Sequence, residues 1–259
     1  MPAASRPASI GFICARSHEV FGPVGEALEE AGVPVVFFEP GRPVSPEAIE
    51  GLSLLVNKKL GPETYRALAE AERRGVRTWN GYPAVLLGAR AIGMQALERV
   101  GFAVPETTRE PPPCPYVAKS AFDWHLAPDP EPYGHAALYQ PLLPADPIDY
   151  KYYAVDDGQR IHVRVLRARS KLYGDKEALD LVPPDPVLAA RVRGLMELVG
   201  AQALGIDVVY VDGTPYAVDV NPAMSFRYTG LEAEIAASLR HAAIDRPAFA
   251  ASDPLAAMD

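Results

Sequence analysis

Apolar residues in the first third of the chain come in short unbroken runs separated by amphipathic stretches. SIGFICA, VPVVFFE, LSLLVN and VRTWN read as buried strands, whereas VGEALEEAG and PETYRALAEAERRG carry the helical period. The order strand, helix, strand, strand, helix, strand predicts a parallel α/β lobe over residues 1–86. Gly32 and Gly75 stand where each helix must end before the next strand. Residues 84–100, AVLLGARAIGMQALERV, read as one helix, and GFAVPETT follows as a loop with Pro105 blocking more helix. REPPPCPYVAKS leads into a short strand ending at Lys119, AFDWHLAPDPEPYGHAA shows no period, and ALYQPLL resumes as strand. A small central lobe over residues 87–143 accounts for this pattern.

The last third is strand-rich before it turns helical. IDYKYYAVDDG and QRIHVRVLRARSK form a hairpin around Asp156, Asp157 and Gly158, and LGIDVVYVDGTPYAVDVN forms a second. Between them PPDPVLAARVRGLMELVGAQ is a helix with Pro186 near its start, and GLEAEIAASLRHAA closes a lobe over residues 144–245. Residues 246–259, rich in Ala, Pro and Asp, have little to pack and are expected to be disordered. The first strand runs into ARSHEVFGPVG without a G-x-G-x-x-G loop, which argues against a dinucleotide site there.

With 259 residues, 49% hydrophobic and 22% charged, the chain has the composition of an ordinary globular protein. A net charge of -8 opposes binding to nucleic acid or anionic lipid. No apolar run reaches the roughly 18 residues of a membrane span, and the start lacks the apolar core of a secretory signal, so a cytoplasmic protein is expected. Cys14 and Cys114 lie far apart, with no C-x-x-C spacing and no His partner at metal-ligand spacing, and read as two packed thiols. A homodimer is the base-rate expectation for assembly.

The second hairpin is the richest in chemistry. A three-residue turn of Asp212, Gly213 and Thr214 would set Asp207 directly opposite Asp219, and Asn221, two residues on, would share their face. Opposed carboxylates repel unless a cation lies between them, and three hard oxygen ligands suit Mg²⁺ or Mn²⁺ rather than zinc. The basic strand supplies a second signal: alternation sets Arg160, His162 and Arg164 opposite Ile161, Val163 and Val165. The phase inverts at Leu166, where a bulge would keep Arg167 on the polar face. Solvated strand faces would account for the same acids and arginines. Lys119, ending an apolar strand, must either reach water or meet an anion.

Taken in order, a strand lysine, an apolar YQPLL segment, a basic strand and an oxygen-ligand hairpin resemble the ATP-grasp superfamily. The branch that holds the RimK-like glutamate ligases and the inositol-trisphosphate 5/6-kinases is the most similar. The resemblance covers residues 76–240 and implies an ATP-grasp fold, with an N-terminal Rossmann-like lobe in front and a shortened central lobe. RTWNGYPAVLLGARAIGMQALERVGFAVPETT resembles the family's asparagine turn, opening helix and G-x-x-V-P-x-T loop, with Arg90 where the family has a lysine. YVAKS then implies a phosphate contact from Lys119, and YQPLL an adenine-bordering hinge with Gln140, Leu142 and Leu143. The basic hairpin implies nucleotide- or substrate-side roles for Asp149 and Lys151 and a phosphate contact from Arg167. LGIDVVYVDGTPYAVDVNPAMSF, the most specific segment, implies metal ligation by Asp207, Asp219 and Asn221. The family's glycine-rich lid is absent; only Gly134 falls between Lys119 and Gln140, in HLAPDPEPYGH.

The resemblance implies ATP with magnesium or manganese and a small anionic acceptor, with catalysis by Arg167 and Lys151 and acceptor contacts from Arg164, Ser225 and Arg227. A carboxylate–amine ligase working through an acylphosphate is the first expectation and a small-molecule kinase the alternative. An ATP-binding protein without turnover is the third, motivated by the missing lid and by Arg90. Capping of the last helix by Thr229 is the ordinary account of the stretch around Ser225 and Arg227.

Overall fold

A computed structural model describes residues 9–122, 138–170, 172 and 177–244. The expected lid stretch with Gly134, Lys171 and the C-terminal tail lie outside the described residues. The N-terminal lobe runs β1 (Ile10–Ile13), α1 (Phe21–Glu30), β2 (Val35–Phe38), α2 (Pro46–Glu50), β3 (Leu54–Asn57), α3 (Pro62–Arg73) and β4 (Arg77–Trp79). Its strands pair in parallel in the order β2-β1-β3-β4, and β1 and β3 are buried throughout, as unbroken apolar runs require. Gly32 and Gly75 take φ of 79° and 68° beyond their helices. The five-residue α2 is an addition to the expected pattern; Ser45 accepts from Ala48 N at 3.3 Å, with Pro46 at the first helical position.

Residues 84–100 are not one helix. They take in the end of α4 (Tyr82–Val85), a 3₁₀ turn over Leu86–Gly88 and α5 (Arg90–Arg99), with the break at Ala89, which is extended at φ −77°, ψ 107°. Ala89 bridges to Phe122, and Arg90 N donates to Ala121 O at 2.9 Å. The break starts α5 at Arg90, and Gly93 lets the helix lie against the sheet, since a Cβ there would meet Val220 Cγ1 at 2.6 Å.

The central lobe is one antiparallel pair, β5 (Tyr116–Lys119) with β6 (Leu138–Pro141). The C-terminal lobe contains β7 (Ile148–Asp156), β8 (Ile161–Arg169), β9 (Ala178–Val182), α6 (Pro186–Val199), β10 (Ala203–Val211), β11 (Thr214–Asn221) and α7 (Glu232–Ile244). Its five strands pair antiparallel in the order β11-β10-β7-β8-β9. Asp185 caps α6 through bonds from Val187 N and Leu188 N. One hydrophobic core runs from Phe12 and Phe21 in the N-terminal lobe to Tyr153, Val192 and Ile206 in the C-terminal one. Cys14 lies within it, whereas Cys114 is exposed rather than packed.

Asn80 ties the lobes together. Fully buried after β4, it donates to Ala203 O at 2.6 Å and Pro222 O at 2.8 Å and accepts from Gln202 N and Ala203 N at 2.8 and 2.9 Å. All four hydrogen-bonding positions of the amide are used. None of the described helices is long and apolar enough to cross a membrane.

Candidate nucleotide and metal site

The second hairpin turns through Asp212 and Gly213, with φ of 47° and 79°, and Val211 pairs with Thr214. Positive φ at both residues marks the two-residue turn that Asp-Gly favours, not the expected three-residue one. A two-residue turn alone would set Asp207 out of line with Asp219. A bulge restores the pairing, because Val208 pairs with Ala217 and Asp207 with Asp219, leaving Val218 unpaired. The carbonyl of Val218 accepts from Lys119 Nζ, so the bulge also brings the central lobe's lysine to the hairpin.

Pairing across strands then sets a row on one face of the sheet: Asp219, Asp207, Lys151, Leu166 and Leu181. Lys151 Nζ bonds Asp207 and lies 3.4 Å from Asp149 Oδ2. Arg90, at the start of α5, reaches Asp219 Oδ1 at 2.6 Å. Three cations and three carboxylates therefore meet where the lobes join. Burial works against the Lys151 charge, but Asp207 and Asp149 outweigh it and hold the ammonium above its ordinary range. Desolvation raises the Asp207 carboxyl, Lys151 opposes the rise and Asp219 adds to it. Burial and then Asp207 push the Tyr153 phenol up to about 12.

The neighbouring row is Asn221, Gly205, Tyr153 and Arg164, so Asn221 and the exposed Arg164 share the face of the paired acids. Arg167 does not. β8 pairs with β7 without interruption from Ile148↔Arg169 to Asp156↔Ile161, and the irregularity lies instead in β9, where Leu179 is skipped. With no bulge in β8 to turn it, Arg167 falls on the opposite face with Tyr150, held by Asp180 through two bonds of 2.7 Å.

The remaining expected residues divide by place. Gln140 is buried on β6 and donates to Thr107 Oγ1 at 2.9 Å. Leu142 N donates to Pro115 O at 2.8 Å, which fixes the segment with Leu143 beside the central lobe. Ser225 is partly exposed, and the exposed Arg227 pairs with Glu19 at 3.0 Å. Thr229 does not cap α7; its hydroxyl donates to Phe226 O at 2.6 Å and closes the turn around Arg227. Tyr153 was not singled out from the sequence. Neither was Lys58, which donates to Ala223 O at 2.9 Å, although it ends an apolar strand just as Lys119 does.

The donor set fits a hard divalent cation. Each paired carboxylate uses one oxygen in its ion pair, and Asp207 Oδ1 and Asp219 Oδ2 accept no hydrogen bond from the described residues. The described residues contain no cluster of three or more His, Cys, Asp or Glu at metal spacing, which leaves these two acids with the Asn221 amide as an all-oxygen set.

A parallel lobe, a small two-stranded lobe and a five-stranded antiparallel sheet with acids and cations at their junction make up the ATP-grasp fold. Solved structures match over nearly the whole chain. A RimK-domain ATP-grasp protein from Sphaerobacter thermophilus DSM 20745 is 19% identical with a TM-score of 0.63, covering 90% of this chain and 100% of that one. The ATP-grasp ligase PsnB, in complex with a phosphomimetic variant of its minimal precursor, Mg and ADP, is 17% identical with a TM-score of 0.62, covering 91% and 98%. The macrocyclase MdnC from Microcystis aeruginosa MRC, bound with precursor peptide MdnA, is 12% identical with a TM-score of 0.61, covering 90% and 99%. No protein-family model matches the sequence, and no curated protein matches it significantly.

Proposed function

We propose that the protein is an ATP-dependent carboxylate–amine ligase. The observation that carries this reading is the opposed pair Asp207 and Asp219, met by Lys151, Arg90 and Lys119, in an ATP-grasp fold. Asp207, Asp219 and Asn221 would hold Mg²⁺ or Mn²⁺, which would supply Lewis-acid polarisation of the ATP phosphates. Lys119 and Arg90, set at the edge of β11, are the residues for phosphate charge. Asp149 orients Lys151, and Lys151 supports the charge of Asp207. Gln140 with the Leu142–Leu143 backbone lines the adenine side. With Arg167 on the far face, the catalytic cations of this reading are Lys151, Arg90 and Lys119.

In the reaction, a carboxylate oxygen of the acceptor attacks the γ-phosphorus and ADP leaves. An amine then attacks the acyl carbon of the acylphosphate, loses a proton and displaces inorganic phosphate. Positioning and fixed charge supply most of the rate. Because PsnB and MdnC were solved with precursor peptides, acidic peptides belong in the acceptor screen beside small anionic molecules.

Calorimetric titration of ATP with and without Mg²⁺, on the wild type and on Asp219→Ala and Asn221→Ala, tests the nucleotide site. Metal-dependent binding weakened by both substitutions is expected, and no ATP binding in either condition overturns the proposal. Hydroxylamine added with ATP and acceptor separates the chemistry. A ligase yields a hydroxamate, whereas a stable phosphoester would indicate a kinase.

A further inference from the structure

The carboxyl ends of β1 and β3 meet the loop that follows Asn221. Lys58, just past β3 and 6% exposed, donates to Ala223 O at 2.9 Å, while Ala223 N donates to Asn221 Oδ1 at 2.8 Å. A buried ammonium and a candidate metal ligand thus grip the same residue from its two ends. Lys59 follows Lys58 and is exposed. His18, past β1, accepts at Nδ1 from Val20 N and Phe21 N at 3.2 and 3.3 Å, which leaves Nε2 to carry the proton of the neutral ring. Burial, and then the charges of Lys58, Arg227 and Lys59, push His18 down to about 4, so near neutral pH it is an uncharged donor among three cations.

Two further features mark this edge. Phe226 and Tyr228, on either side of Arg227, hold φ of 56° and 64°, conformations that cost non-glycine residues energy and that cluster at binding sites. Asn57, the residue before Lys58, is 1% exposed, and neither polar atom of its side chain has a partner among the described residues. One carboxylate is already drawn here: Glu19 Oε2 lies 3.0 Å from Arg227 Nε, with both side chains largely exposed.

We propose that His18, Lys58, Lys59 and Arg227 form a carboxylate-binding subsite that anchors the acceptor beside Asn221. The acceptor then carries a second carboxylate besides the one that is phosphorylated. The assignment rests on the ligase reading for the acceptor's fate, but the binding it describes needs no ATP.

The test follows the His18 ring resonances by NMR, assigned through His18→Gln, during titration with glutarate, with L-glutamate and with inorganic phosphate. Saturable His18 shifts with the dicarboxylates are expected, weakened about tenfold or more by Lys59→Glu and by Arg227→Glu, with phosphate at least tenfold weaker. Both substitutions are at exposed positions, and parallel Mg²⁺·ATP titrations on the same variants should agree with the wild type within about twofold. The absence of a saturable shift with either dicarboxylate overturns the subsite. Dicarboxylate shifts that both charge reversals leave intact, or phosphate binding as tightly as glutarate, overturn it as well. A wild type that binds glutarate at His18 but no ATP keeps the subsite and removes the ligase reading.

Discussion

Replacing Asn80 by alanine removes the four hydrogen bonds that join the end of β4 to the start of β10 and to Pro222, the residue after Asn221. The side chain is fully buried, so each backbone group loses its partner out of reach of bulk solvent. A buried group left unpaired costs about 1–3 kcal/mol. The space vacated admits about one water, which restores part of the bonding. The expected loss is about 4 kcal/mol, a large share of the roughly 5–15 kcal/mol of a typical domain. Urea unfolding followed by circular dichroism measures it as a lower midpoint at unchanged slope. Asn80→Asp isolates the cause. It keeps the shape and one acceptor but turns oxygen toward Ala203 O and Pro222 O, so it should be at least as damaging as alanine near neutral pH. An aspartate variant as stable as the wild type, or an alanine variant within about 1 kcal/mol of it, would refute the reasoning.

Three further outcomes are expected. Arg167→Ala should leave Mg²⁺·ATP affinity within about twofold, whereas Arg90→Ala should weaken it about tenfold or more, because only Arg90 reaches the acid row; calorimetry compares them. Gly93→Ala sets a methyl 2.6 Å from Val220 Cγ1 and 2.7 Å from Leu87 O, and should cost about 1–3 kcal/mol and lower Mg²⁺·ATP affinity by shifting Arg90, read by thermal melts and by titration. Burial opposes the Asp157 charge, but hydrogen bonds from His162, Arg160 N and Gln159 N outweigh it and hold the carboxyl down at about 2 from an ordinary 3.8. Its stabilisation is full above the ordinary value and lost as pH falls toward about 2, so Asp157→Ala should flatten the urea midpoint against pH across that window.

The N-terminal lobe was legible because parallel strands buried on both faces leave unbroken apolar runs, and Gly32 and Gly75 punctuate them. The acid pair was legible too, but through the wrong turn. Asp-Gly takes a two-residue turn, and the bulge at Val218 that restores the register is seen only once the segment before Lys119 lies along β11: Ala217 N donates to Ala103 O and Val218 O accepts from Lys119. The same limit misled the reading of Arg167. Phase inversion at Leu166 suggested a bulge, but β8 is regular and inverts because Leu166 is buried on the acid face while Arg167 is held by Asp180 on the other. The break at Ala89 is likewise tertiary, since Arg90 N bonds Ala121 O rather than a carbonyl one turn back. Lys58 finds its partner, Ala223 O, only on a loop 165 residues further along the chain.

On the proposed ligase reading, the charge arrangement at the junction is what lets a protein of net charge -8 receive a polyanion. Asp149 and Asp207 hold Lys151, and Asp219 holds Arg90, so each cation is already placed and desolvated before any phosphate arrives. The strand register sets acids 207 and 219 on one face of the sheet, where they would repel if bare, and these cations offset that repulsion. On that reading, an incoming phosphate meets oriented donors rather than flexible surface lysines, and a divalent ion meets carboxylates already brought together. The sheet need not rearrange its hydrogen bonds for this exchange of partners, because the acids sit on β10 and β11 and only side chains must turn. The cations come from three separate elements, α5, β5 and β7, so the exchange depends on these elements staying docked, and Asn80 holds β4 to the start of β10 and to Pro222 beside them.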